Sequence, residues 1–170
     1  MKTIRSNVFE TNSSSVHTVC LQNGDDISGV LERDHNGDAI IHMHEFGWSG
    51  SCNTPEEKLS YLCLIIHYMH KDAPGTFWCG DTKSDYCAAA DFVESTPEFQ
   101  RIKNAICSYC QYPNLKIDRE VIQEGYIDHQ SIEDYTSLDD WLKDHGINTD
   151  YDIYKFVIGR SYIEIDNDNG

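Results

Sequence analysis

At 170 residues the chain is long enough for one domain with its own core, and no break in composition calls for a second. Its 13 Lys and Arg stand against 29 Asp and Glu, a net charge of −16. That balance excludes unaided nucleic-acid binding of the usual kind, whose affinity comes from basic side chains neutralising phosphates.

Residues 1–9 can run extended, and 16–21, β-branched and apolar, suits a strand. Residues 11–15 form the connection, because Asn and Ser side chains bond nearby backbone and favour turns. The Asn-Gly pair makes 22–26 a turn, 27–33 is a weak strand or connector, and 34–38 is a second turn. Residues 39–44 alternate as a strand that puts Ile40, His42 and His44 on one face, and 46–51 is a glycine-rich loop. A helix then starts with Thr54 as N-cap, Pro55 in the first turn and Glu57 completing a capping box. Apolar on most sides from Leu59 to Tyr68, this helix belongs at the centre of the fold. Residues 76–79 suggest a short strand and 86–92 a short helix. Thr96-Pro97-Glu98 repeats the start signal for a helix reaching Cys110, and 114–122 reads as a strand. Ser137 caps a helix that ends at Gly146, another runs from Asp150 to Gly159, and 161–166 alternates as the last strand. The fold class is therefore α+β, a mixed or antiparallel sheet against three to four helices in a single domain.

The longest apolar-rich run, 59–69, is broken by Ser60 and His67 and falls well short of the roughly 20 residues that cross a bilayer. The seven cysteines are odd in number and no secretory signal precedes them, which predicts reduced thiols in a cytoplasmic protein.

Three groups of side chains are candidates for chemistry. Between positions 5 and 17 the chain packs Arg5, Glu10, Asn12, Ser13, Ser14, Ser15 and His17. There hydroxyls and backbone N–H groups could face an anion while Glu10 or His17 moves a proton, and under an enzymatic reading Glu10, His17 and Arg5 are the catalytic set. Ser15 and His17 alone cannot form a nucleophile pair, since two strand rises separate them by ~6.5 Å. A second group, His42 and His44 with Cys52, and Cys107 with Cys110, carries ligand types suited to zinc, although the set lacks a second C-x-x-C. If the strands of His17 and of His42 were neighbours, these histidines could join Glu10 or Glu45 around a metal or a phosphate. Zinc is the one candidate cofactor; otherwise none is expected. The third group is acidic. From Lys116 to Gly170 there are 14 Asp and Glu against 5 Lys and Arg. Asp139, Asp140, Asp144, Asp150, Asp152, Glu164 and Asp166, interleaved with Tyr151, Tyr154 and Tyr162, could imitate a phosphate backbone beside bases. Asp166–Gly170 lacks the closing Glu of a calcium loop.

The run Arg5-Ser-Asn-Val-Phe-Glu-Thr-Asn-Ser-Ser-Ser-Val-His17 resembles the opening of a group of small proteins encoded by bacteriophages and gut bacterial mobile elements. Gly159, the Ser-Tyr-Ile strand and Asn-Asp-Asn near the end resemble the close of such proteins. Phage accessory proteins of this size and acidity include anti-CRISPR proteins, and the resemblance carries over no catalytic residues. It implies an accessory protein, in the host bacterial cytoplasm, that inhibits a host defence protein with a basic nucleic-acid-binding groove, of which a CRISPR effector nuclease is one. A non-enzymatic inhibitor with no membrane contact is the expectation, and a small hydrolase or nucleotide-processing enzyme using the N-terminal cluster is the alternative.

Overall fold

A computed structural model describes residues 2–5, 15–22, 24–47, 50–77, 82–127 and 135–167. Its strands are β1 (Lys2–Arg5), β2 (Ser15–Leu21), β3 (Ala39–Ile41), β4 (Glu45–Phe46), β5 (Gly50–Cys52), β6 (Leu115–Ile117), β7 (Tyr126–Ile127) and β8 (Tyr162–Asn167). The helices are α1 (Pro55–Met69), α2 (Lys83–Ser95), α3 (Pro97–Cys110), α4 (Leu138–Asp144) and α5 (Asp150–Ile158). The α+β class is as the sequence predicts. Among the described residues five helices stand where three to four were expected, because α2 is a full helix in place of a short one.

The main sheet is antiparallel in the order β1-β2-β8-β5, so the last strand is inserted between the opening hairpin and β5. Alternation along β8 turns Ile163 and Ile165 inward while Glu164 and Asp166 stay exposed. Opposite them Val19 pairs with Ile163, and His17 with Ile165, on the same buried row. Two short parallel pairs, β3 with β6 and β4 with β7, stand apart from this sheet.

α1 is the centre. Pro55 and every residue from Lys58 to Ile66 are buried, and the helix touches all four other helices as well as β3, β5 and β7. Its start is the expected capping box: Thr54 Oγ1 accepts from Glu57 N at 3.2 Å, and Glu57 Oε2 accepts from Thr54 N at 2.9 Å. At its far end Gly75 takes a left-handed φ of 70°, and a Cβ there would lie 2.1 Å from Asp85 O, so glycine is what lets the connection press onto α2.

Several expected boundaries move. β3 stops at Ile41, so His42 and His44 lie beyond the strand and share no strand face. The loop 46–51 supplies β4 and β5, and the strand expected at 114–122 is confined to β6. The strand expected at 76–79 falls partly outside the described residues. β2 pairs with β1 and β8 and β3 pairs with β6, so the strands of His17 and His42 are not neighbours and the joint histidine site is lost.

Candidate functional site

Within the N-terminal cluster, Glu10, Asn12, Ser13 and Ser14 lie outside the described residues. Arg5 and Ser15 are placed by backbone alone, opposite Thr18 and Asn167 respectively. His17 is buried at 5% exposure, with Nδ1 2.5 Å from Tyr61 Oη on α1. Tyr61 in turn packs on Phe46 and Trp141, which sets His17 on an aromatic core.

The proposed zinc ligands divide into separate environments. Cys52 is fully buried, and burial drives its thiol pKa up. Burial also raises the thiol pKa of half-buried Cys107 and Cys110, which lie one turn apart on α3 against the core. His44 Nε2 lies 3.0 Å from Glu56 Oε1. Among the described residues no three His, Cys, Asp or Glu side chains converge to hold a metal ion.

His42 has the most elaborate setting. It follows β3 directly, Asp118 follows β6 directly, and the two strands are parallel, so both side chains stand at the carboxyl ends of the pair. This is the side on which open α/β sheets form crevices for ligands. His42 Nδ1 is 3.1 Å from Asp118 Oδ2, at an angle that makes no hydrogen bond, and Nε2 is 3.5 Å from Glu32 Oε2. Asp118 is itself held by the backbone N–H of Glu120 at 2.9 Å and of Val121 at 3.1 Å. These groups line a cleft of about 390 Å³ whose rim carries Lys116 and Arg119. A carboxylate beside an imidazole at the wall of a cleft supplies the groups that acid–base chemistry uses, and such pairs are often misaligned in the absence of a ligand. Asp118 and Glu32 were not singled out from the sequence; only their place after a strand and before one could have suggested them.

The acidic residues are used in three ways. Asp139 and Asp150, at the starts of α4 and α5, converge on Arg101 of α3 at 2.5 and 3.3 Å, and Asn148 O takes a third guanidinium hydrogen bond at 3.0 Å. Asp140 and Asp152 bond the hydroxyls of Thr136 and Thr149 at the same helix starts, and Asp144 accepts from Tyr135 Oη at 2.8 Å. Burial pushes the Asp152 pKa up, but the hydrogen bonds from Thr149 and Asn148 outweigh it and the net shift is downward. Glu164 and Asp166 stand on the sheet, away from this group.

The same habit recurs around the other cations. Lys116 holds Asp34 at 2.6 Å and Asp38 at 3.3 Å, and the Lys116 hydrogen bond draws the Asp34 pKa down to about 2. Arg119 holds Asp91 at 2.6 Å and Glu94 at 3.0 Å, while Lys155 and Arg160 face Asp25 and Asp26. No family model, curated protein or solved structure matches the chain.

Proposed function

We propose that the protein is a phage or mobile-element accessory protein that docks, through carboxylates, on the cationic groove of a host nucleic-acid-handling protein of the CRISPR effector kind and blocks it. The supporting observation is how the chain spends its few cations. Arg101, Lys116 and Arg119 are each held by two of the chain's own carboxylates, Lys155 and Arg160 each face one, and Lys58 is buried, so about half of the 13 basic side chains are engaged within the fold while the net charge stays at −16. A surface of this kind repels nucleic acid and is steered toward basic grooves. The test is competition with DNA for a purified CRISPR effector nuclease over a salt series. The protein is expected to displace DNA, with affinity falling as salt rises. No binding, or binding indifferent to salt, removes the reading.

A small hydrolase or nucleotide-processing enzyme is the second reading, favoured by the His42 and Asp118 geometry more than by buried His17. His42 would exchange the proton and Asp118 would hold the ring. Turnover of nucleotides or aryl esters by the intact protein, reduced by about a hundredfold or more in His42→Gln, is its expected signature. Equal rates in the two proteins sink it.

A further inference from the structure

Helices α3 and α5 each carry a half-exposed tyrosine. Tyr109 of α3 is 48% exposed and Tyr151 of α5 is 47% exposed. Tyr109 stacks on Tyr154 with ring centroids 4.9 Å apart, and Tyr151 meets Tyr109 at 5.5 Å and Tyr154 at 5.9 Å. Large aromatic rings in water are costly to leave exposed, and three in contact form a continuous π surface. These rings line a cleft of about 380 Å³ together with Asp25, Asp26, Lys155 and exposed Ile27.

The cleft already contains one cation of the chain's own, and it leaves Asp26 the less engaged of the two carboxylates. Lys155 reaches into it and places Nζ against Gly24 O and, at 2.8 Å, Asp25 Oδ1. The Asp25 hydrogen bond is the main cause of its raised pKa, and it outweighs the opposing effect of desolvation. Asp26 is held only loosely, 3.6 Å from Arg160. An aromatic face beside carboxylates is the arrangement that accepts a cation by ring quadrupole and ion pairing together, and a planar guanidinium uses both better than an ammonium does.

We propose that the cleft lined by the Tyr109, Tyr151 and Tyr154 stack and by Asp25 and Asp26 receives an arginine side chain of the partner protein. This rests on the docking reading above and names the point of contact. An arginine taken from a nucleic-acid groove would exchange phosphate for carboxylate and a stacked base for a tyrosine ring.

The full chain is titrated with an oligoarginine peptide by calorimetry and by NMR at low salt, with oligolysine as the comparison. Tighter binding of oligoarginine is expected, with the largest shifts at Tyr109, Tyr151, Tyr154 and Asp26. Tyr151→Leu should weaken binding about tenfold, whereas Tyr151→Phe, which keeps the ring, should bind like the parent. Asp26→Asn gives a second, surface variant that removes charge without touching the core, and it should also weaken binding. Glu164→Gln, on the sheet, should not. Equal affinity of Tyr151→Leu and the parent, or equal binding of both peptides, overturns the cleft. Failure of the parent to bind the peptide also overturns it, while leaving the docking reading to the nuclease competition, so the two can fail separately.

Discussion

Lys58 is the residue whose environment departs most from what its chemistry prefers. Its Nζ, with no exposure, donates to Gly159 O at 2.7 Å, Ser161 O at 2.8 Å and Ser28 Oγ at 3.3 Å, and so ties α1 to the crossing from α5 into β8. No carboxylate is among these acceptors, and burial lowers its pKa to about 7. Between that value and the ordinary 10.5 the unfolded chain binds a proton that the native state lacks. Stability should therefore rise with pH across this interval. Lys58→Met leaves buried carbonyls without their donor, at a cost of about 2 kcal/mol at pH 7. Urea melts at several pH values from 6 to 10 should show the parent gaining stability relative to that variant; parallel curves contradict the account. The His42 test also belongs to this scale. The sequence marked His42 as a residue with chemistry but assigned it the wrong company, because Asp118 comes beside it only through β3 pairing with β6.

At the scale of elements, helix starts were the most legible feature. Thr54, Thr96 and Ser137 sit where a hydroxyl must cover free N–H groups, and each side chain accepts one in the structure. Thr82 and Thr149 form capping boxes too, with Asp85 and Asp152 in the third position. The Thr82 box went unread because the residues around α2 show little apolar rhythm, and packing against α1 and α3 supplies what pattern lacks. Thr54→Ala should cost about 1 kcal/mol, read as a lower denaturation midpoint at unchanged slope. An unmoved midpoint would mean that α1 is held by its packing alone. Of the short parallel strands, β3 and β6 were read as strands but drawn too long, and β4 and β7 went unread because two residues carry too little alternation to separate strand from loop.

For the molecule as a whole, charge decides how it meets others. Acidic residues do not gather on one C-terminal face: Asp139, Asp140, Asp150 and Asp152 cluster where α4 and α5 begin, and Glu164 and Asp166 lie on the sheet. With the tyrosine cleft as the proposed point of contact, salt-sensitive docking and loss of affinity in Tyr151→Leu are expected to go together. The amino-acid sequence by itself determined the α+β class, the central place of α1 and the negative charge, since each is a local sum of side-chain types along the chain. Which strands become neighbours, which carboxylate faces His42 and which tyrosines stack were decided only by tertiary structure. Those contacts join residues far apart along the chain, and their free energy exists only once the core has brought them together.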